Sequence, residues 1–151
     1  MKLWLLRHGE AEARAPSDEV RELTAVGRAE VLRSALQLQG AELELILASP
    51  YVRAQQTAAL VQQQLAWPGE LCNAPWATPD GEPERALAEL SQLGVKELLL
   101  VTHNPFVGEL AGWLQQGHRQ APVPMSTASL LCLEAALPLA GGFDLVSRFD
   151  G

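Results

Sequence analysis

Short apolar runs alternate along the chain with longer segments whose apolar residues recur at helical spacing. The apolar runs predict strands at Leu3–Leu6, Leu43–Ala48, Leu71–Ala74 and Glu97–Thr102. Continuous apolar runs of this kind are typical of strands that are covered on both faces. Two further runs, Ala128–Glu134 and Phe143–Phe149, flank a turn region that contains proline and glycine, which predicts an antiparallel pair near the C-terminus.

Four segments with helical spacing lie between these strands. They run from Thr24 to the residue before Gly40, over Tyr51–Leu65, from Pro83 to Gly94, and from Asn104-Pro105 to about Gln116. Threonine is a residue type that caps helix N-termini, and proline suits a first helical turn. The apolar spacing predicts one buried stripe on each of the first two helices; the stripes are Ala25, Ala29, Leu32 and Leu36, and Ala54, Ala58, Val61 and Leu65.

The alternation of strand and helix predicts the fold class. Successive strand–helix–strand units form right-handed crossovers and a parallel sheet with helices packed on its two faces. We therefore expect an α/β fold of three layers, α/β/α, whose central sheet is mostly parallel with one antiparallel strand towards the edge. No repeat, linker or low-complexity tract interrupts the pattern, which predicts one domain over residues 1–151.

Composition and charge exclude several classes of protein. With 48% hydrophobic and 19% charged residues the chain is typical of a globular protein and not of a disordered one. Its formal net charge of −7 argues against general binding to nucleic acid or to anionic membranes. The first apolar run stops at Arg7 and is too short for a signal-peptide core or a membrane span, so we expect a cytoplasmic protein. We also expect the protein to be a monomer. Cys72 and Cys132 form no CxxC motif and are expected to be two buried thiols.

Cationic side chains follow three of the predicted strands. The first strand leads into Arg7-His8-Gly9-Glu10, the second into Ser49-Pro50-Tyr51-Val52-Arg53, and the fourth into His103-Asn104-Pro105. Ligands of parallel sheets bind outside the carboxyl ends of the strands, so these residues are expected to converge. Arg21, in the loop after the first strand, could join them.

Several cations in one crevice repel each other unless an anion lies among them. Guanidinium groups match tetrahedral oxyanions through bidentate hydrogen bonds, which favours phosphate as the ligand. A neutral imidazole with one nitrogen held by a backbone carbonyl presents its other nitrogen as a nucleophile. The residue types therefore predict a phosphate pocket in which a histidine attacks phosphorus. Gly9 would let the backbone approach the ligand closely.

Three segments resemble the signatures of one known family. Leu6-Arg7-His8-Gly9-Glu10-Ala11 is similar to the RHG signature of the histidine phosphatase superfamily. Ser49-Pro50, followed after two residues by Arg53-Ala54 and then Gln56-Thr57, resembles its second signature, and His103-Asn104-Pro105 its third. The resemblance spans the chain in the right order. The short length and the arginine-containing segment that ends at Gly27 resemble the SixA-type phosphohistidine phosphatases.

The resemblance implies a role for each matched residue. His8 would be the nucleophile that becomes phosphorylated, and Arg7, Arg53 and His103 would form the phosphate pocket. Arg21 would be a further phosphate ligand of the SixA type. Ser49 and Gly9 would line the substrate site, although Ser49 is also placed to cap the second helix. No cofactor and no metal are expected.

No motif fixes a general acid. Asp80 and Glu82, after the third predicted strand, are the candidate proton donors. A phosphohistidine substrate needs such an acid less than an alkyl phosphate does, because imidazole departs more easily than an alkoxide. The resemblance thus favours a phosphorylated protein as substrate, such as a histidine phosphotransfer domain of a signalling relay.

Two other functions stay open at this stage. The same chemistry could act on a small phosphate ester or a sugar phosphate. The pocket could instead bind a phosphoprotein without turning it over. A nucleotide-binding fold is disfavoured, because neither G-x-G-x-x-G nor G-x-x-x-x-G-K-[ST] follows the first strand.

Overall fold

The computed structural model describes residues 1–151. Six strands, four helices and a short 3₁₀ turn follow each other along the chain. The strands are β1 (Lys2–Arg7), β2 (Leu45–Ala48), β3 (Leu71–Asn73), β4 (Glu97–Thr102), β5 (Leu130–Glu134) and β6 (Asp144–Phe149). The helices are α1 (Ala25–Leu36), α2 (Val52–Leu65), α3 (Pro83–Ser91) and α4 (Phe106–Gln116), and the 3₁₀ turn is Asp18–Val20.

All six strands form one sheet in the order β3-β2-β4-β1-β5-β6. Strands β1 to β4 pair in parallel, whereas β5 is antiparallel to both β1 and β6. Since β6 again has the direction of β1, β5 is the one reversed strand, next to the edge. The predicted α/β class with a mostly parallel sheet is confirmed.

The alternation of side chains along each strand divides the core into two layers. On β1, Leu3 and Leu5 face α3 and α4, while Leu6 faces α1 and α2. The side with α3 and α4 includes the buried Phe106, and the side with α1 and α2 includes Val31. Because successive strand residues point to opposite faces, an almost continuous apolar run covers both layers at once.

The buried stripe predicted for α1 is wrong. Ala25, Ala29, Leu32 and Leu36 are all exposed, and the buried residues of the helix are Gly27, Val31, Ser34 and Ala35. Apolar periodicity does not count glycine or serine as core residues, but here both make close contacts. The backbone at Gly27 lies against Glu10, and the Ser34 hydroxyl donates to the Ala128 carbonyl at 2.5 Å.

The cap of α1 and the buried stripe of α2 agree with the prediction, whereas α3 ends earlier than predicted. Thr24 caps α1, since its hydroxyl oxygen accepts from the Gly27 N–H at 3.0 Å. On α2, Ala54, Ala58 and Val61 are fully buried as the spacing predicts, and Leu65, the fourth predicted position, is half-buried. The third helix ends at Ser91 instead of Gly94, which has a φ of +67° in the turn that follows. No helix in the protein combines the length and the apolar character that crossing a membrane would require.

The expectation of two buried thiols is wrong for one cysteine. Cys132 on β5 is buried, and its burial raises the pKa of the thiol to about 11. Cys72 is exposed, because it lies on the short strand β3 at the edge of the sheet.

Candidate active site

The sheet places the ends of three strands side by side. Strand β4 lies between β1 and β2, and the register pairs Arg7 with Thr102 and Ala48 with Val101. The next residue after each strand continues this alignment: the His8 N–H donates to the Thr102 carbonyl at 3.0 Å, and the Ser49 N–H donates to the Val101 carbonyl at 3.0 Å. The helices after β1 and β4 leave to opposite faces of the sheet, which opens a crevice between these neighbouring strands.

His8 has a defined orientation in this crevice. The residue is 6% exposed, and its Nδ1 lies 2.7 Å from its neighbour's backbone oxygen, Gly9 O. Arg53 Nε lies 3.2 Å from His8 Nε2. Since an arginine nitrogen only donates and a carbonyl oxygen only accepts, the neutral ring carries its proton on Nδ1 and has a lone pair on Nε2. The ring therefore presents a free lone pair at the position for which the sequence predicts the nucleophile.

Arg53 is the second residue of α2 and is 4% exposed. Its Nη1 donates to the Asp18 carbonyl at 2.7 Å and its Nη2 to Asp18 Oδ2 at 3.2 Å. The Tyr51 ring lies beneath the guanidinium carbon at 5.2 Å. The side chain is therefore held on three sides, with Nε directed at the nucleophile.

His103 lies against His8 and is 1% exposed. The two ring centroids are 5.1 Å apart, and His103 Nε2 lies 2.7 Å from Ser49 Oγ. Ser49 Oγ also accepts from the Tyr51 N–H at 3.3 Å. When the serine hydroxyl donates to Nε2, the proton of the neutral His103 ring is on Nδ1, which is buried without a partner in the protein. Ser49 thus orients His103. The capping role predicted for Ser49 is wrong, because no side chain caps the N-terminus of α2.

Arg7, the last residue of β1, contacts the segment that precedes β5. Its Nη1 donates to the Met125 carbonyl at 3.0 Å, and Asn104 Nδ2 donates to the same carbonyl at 2.8 Å. Arg7 Nε is buried without a partner in the protein. Burial, and then the charge of Arg53, lowers the pKa of Arg7. A buried donor without a protein acceptor is rare, and an anionic ligand would satisfy it.

Arg21 joins the cluster through Asp18. Its Nη1 donates to Asp18 Oδ1 at 3.0 Å and its Nε to the Glu12 carbonyl at 2.6 Å. The side chain is 30% exposed, so it borders the crevice, whereas Arg53 lies inside it.

Gly9 makes a close contact within the protein, and its approach to the ligand stays a prediction. A Cβ at this position would lie 2.5 Å from the Gly27 carbonyl oxygen and 2.8 Å from a methyl group of Val31. A Cβ at Gly27 would in turn lie 2.0 Å from the Glu10 carbonyl oxygen. The two glycines therefore let the loop after β1 pack on α1, and this contact fixes the position of His8.

The two candidate proton donors lie on the segment between β3 and α3. Asp80 is exposed and accepts from the Thr78 hydroxyl at 2.6 Å, which lowers the pKa of its carboxyl group. Glu82 directly precedes α3. Neither carboxylate makes a hydrogen bond to the histidines or arginines of the crevice. No group of three or more His, Cys, Asp or Glu side chains is arranged to hold a metal ion.

Burial and neighbouring positive charge keep both histidines neutral. Burial is the largest cause that lowers the pKa of His8 to about 4; the charges of Arg53, Arg7 and Arg21 add to it, and the Gly9 carbonyl opposes it. Burial, followed by the proximity of His8 and Arg53, lowers the pKa of His103 to about 2. At pH 7 both rings are therefore uncharged, and His8 can act as a nucleophile.

Nuclear magnetic resonance of the imidazole nitrogens tests this charge state. We expect both rings to stay neutral while the pH falls from 8 to about 5, with His8 protonated on Nδ1 alone, because each folded pKa is well below the ordinary value of ~6.5. The ring nitrogens should begin to change only as the pH approaches 4. A titration midpoint near 6.5 for either ring would contradict the assignment of a buried, cationic crevice.

Sequence reasoning missed two residues of the crevice. Asp18 bridges Arg53 and Arg21, but in the sequence it begins the acidic run Asp18-Glu19-Val20-Arg21-Glu22, which is typical of a solvated surface. Tyr51 packs on both Arg53 and His103, with its ring centroid 5.0 Å from that of His103. Its position inside the second signature was the available signal. The Met125 carbonyl could not be found from side-chain types.

Comparisons with known proteins show which family and fold the chain resembles. Residues 3–74 match the histidine phosphatase superfamily (branch 1). The phosphohistidine phosphatase SixA of Escherichia coli (strain K12) is 36% identical over 136 residues, which cover 87% of this chain and 83% of that protein. The structure of the protein histidine phosphatase SixA complexed with tungstate is similar, with a TM-score of 0.89 and 31% identity, over 99% of this chain and 97% of that chain. The alpha-ribazole phosphatase from Shigella flexneri, with a TM-score of 0.76, 21% identity and coverage of 100% and 98%, shares the fold.

Proposed function

Because the chain belongs to the histidine phosphatase superfamily and, within it, to the SixA-type members, we propose that it is a phosphohistidine phosphatase that forms a covalent phosphohistidine on His8. One observation carries this proposal: two neutral histidines and the guanidinium of Arg53 meet in one crevice, with His8 Nε2 free of a proton. The relative's tungstate supports an oxyanion as the ligand, since tungstate is tetrahedral like phosphate.

The first half of the reaction transfers the phosphoryl group to the enzyme. The lone pair of His8 Nε2 forms a bond to phosphorus while the bond from phosphorus to the substrate's imidazole nitrogen breaks. The electron pair of that bond stays on the departing ring, which leaves as neutral imidazole when its other nitrogen carries a proton. The Gly9 carbonyl, at 2.7 Å from Nδ1, stabilises the positive charge that His8 gains.

The second half returns the enzyme to its starting state. A water molecule attacks the phosphorus bound to His8, the bond to Nε2 breaks, and its electron pair returns to the ring. The proton that the water loses goes to the released phosphate or to solvent. Throughout both halves, Arg53, Arg7 and the Nδ1–H of His103 bind the nonbridging oxygens, whose negative charge spreads in the transition state.

An imidazole leaving group does not require a carboxyl group that is hydrogen-bonded to the nucleophile. Asp80 and Glu82 stay the predicted donors for an alkoxide leaving group, but the hydrogen bond from Thr78 favours the ionised form of Asp80. A substrate whose leaving group needs a proton would have to take it from Asp80 in its disfavoured protonated form or from Glu82. This property favours phosphohistidine over an alkyl phosphate.

The expected substrate is a phosphorylated protein, specifically a histidine phosphotransfer domain. Only the segment from Ala66 to Glu82, which includes β3, separates α2 and α3, which leaves little chain to cover the crevice with a lid. An uncovered crevice can receive a side chain that projects from another protein. The partner's identity and the monomeric state of the enzyme stay predictions.

Substrate comparison tests this proposal. We expect kcat/KM on a phosphohistidine-bearing phosphotransfer domain to exceed that on p-nitrophenyl phosphate by about 10²-fold or more, because contacts with the protein around the phosphoryl group lower the barrier. Release of inorganic phosphate measures both reactions. Comparable rates on the ester would favour the small-molecule alternative, and binding of the phosphoprotein without release would favour the binding module.

A further inference from the structure

We infer that Asp18 is a positioning residue of the phosphate pocket, whose carboxylate orients Arg53 and Arg21 together. Oδ2 accepts from Arg53 Nη2 at 3.2 Å, and Oδ1 accepts from Arg21 Nη1 at 3.0 Å. The Asp18 carbonyl accepts a third bond, from Arg53 Nη1 at 2.7 Å. No other carboxylate forms an ion pair with an arginine of the crevice.

These contacts determine which edge of each guanidinium faces the nucleophile. Both terminal nitrogens of Arg53 are bound to Asp18, so its Nε edge is directed at His8 Nε2, 3.2 Å away. Arg21 is held by its Nε and Nη1, and its Nη2 makes no hydrogen bond within the protein. Asp18 therefore binds each guanidinium away from the edge that a phosphoryl group would use.

Charge gives a second reason for a carboxylate at this position. Arg53 is 4% exposed and lies near Arg7, so its charge is costly to bury without a partner. Hydrogen bonds from Arg21 and Arg53 lower the pKa of the Asp18 carboxyl, which keeps it ionised. An ionised group that is bound to two arginines does not serve as a proton donor. Its contribution is to align the two cations.

The backbone around Asp18 is built to hold this alignment. Asp18 begins the 3₁₀ turn in the long loop between β1 and α1. The ends of that loop are joined by a bridge between Ala11 and Leu23, and the Glu12 N–H donates to the Glu22 carbonyl at 2.8 Å. Glu12 also supplies the carbonyl that holds Arg21 Nε. Both acceptors of Arg21, the Glu12 carbonyl and the Asp18 carboxylate, therefore lie on this one loop, whose ends are joined.

Removing the charge of Asp18 distinguishes an effect on the orientation of the arginines from a purely electrostatic effect on anion binding. Loss of a negative charge close to an anion site strengthens anion binding by Coulomb's law alone. If Asp18 aligns the arginines, Asp18→Asn should instead weaken tungstate binding and lower kcat/KM on the phosphohistidine protein by about 10- to 100-fold. Glu19→Gln is the matched control, because it removes the same charge from the next residue, which is exposed and makes no hydrogen bond to either arginine.

The experiment measures tungstate affinity by calorimetry and kcat and KM by phosphate release for the wild type, Asp18→Asn, Asp18→Ser and Glu19→Gln. We expect both Asp18 variants to bind tungstate more weakly than Glu19→Gln. Thermal unfolding monitors the destabilisation expected when the buried Arg53 charge loses its carboxylate, and binding is measured at a temperature at which each variant is folded. Tungstate binding by Asp18→Asn that equals or exceeds that of Glu19→Gln would overturn the inference. The inference rests on the proposed function; a wild type that neither binds tungstate nor releases phosphate would refute that function instead.

Discussion

Replacement of His8 with alanine should lower phosphate release from a phosphohistidine protein by at least about 10⁴-fold, because no other nucleophile occupies the end of β1. His103 cannot take its place. Its Nε2 is bound to Ser49, and burial together with the proximity of His8 and Arg53 lowers its pKa to about 2, which makes it a weaker base than His8. The rate of phosphate release with wild type and variant at equal concentration provides the measurement.

His118→Ala is the matched control for this variant. His118 is exposed beyond the end of α4 and has no contact with the crevice, so its loss should leave the rate unchanged. Brief mixing of the wild type with substrate, followed by denaturation, should trap an acid-labile, base-stable phosphate on the enzyme, and His8→Ala should trap none. Turnover by His8→Ala at the wild-type rate would refute a covalent mechanism on this residue.

Replacement of Arg53 with lysine should lower kcat/KM by about 10²- to 10³-fold although the charge is kept. Arginine binds Asp18 with both terminal nitrogens and still directs Nε at His8. A lysine has one ammonium group and cannot make both sets of contacts. We expect the loss to appear mainly in kcat, because the bonds to Asp18 hold Nε towards His8, where the phosphoryl group is transferred. Steady-state kinetics on the phosphohistidine protein measures the change.

Arg33→Lys provides the corresponding control. Arg33 is exposed in the last turn of α1 and makes no ion pair, so this exchange should change kcat/KM by less than about twofold. Thermal unfolding of both variants checks that the fold is retained. A kcat/KM for Arg53→Lys within about threefold of the wild type would mean that a point charge is enough, and the bidentate role would be wrong.

The positive charges of the crevice affect both the protonation of His8 and the attraction of an anion. Three arginines surround the two histidines in a protein whose net charge is −7. Together with burial, the arginines make protonation of His8 unfavourable, and in the proposed reaction they would also attract the dianionic phosphoryl group. The same charges therefore prepare the nucleophile and bind its target. Asp18 limits the repulsion between Arg53 and Arg21 without reaching His8.

The apolar pattern predicted strand β4 at its exact bounds and the others within two residues, because strands covered on both faces need continuous apolar runs. The same kind of pattern misplaced the buried face of α1. Hydrophobic spacing treats Leu32 and Leu36 as core and Gly27 and Ser34 as surface, yet the helix approaches the loop after β1 through Gly27. Close backbone contact requires a residue without a side chain, and hydrophobic periodicity does not identify such a residue as buried.

By itself the sequence determined the order of elements, the α/β class and the residue types at the three strand ends, since each follows from local spacing and from short signatures. Only the tertiary structure decided which atoms meet: that Ser49 orients His103, that the Met125 carbonyl holds Arg7, and that Asp18 bridges two arginines. These contacts join segments from different parts of the chain, or, like Arg21 and Asp18, depend on how one loop folds. Their directions depend on rotamers and loop paths, for which residue type gives no periodic signal.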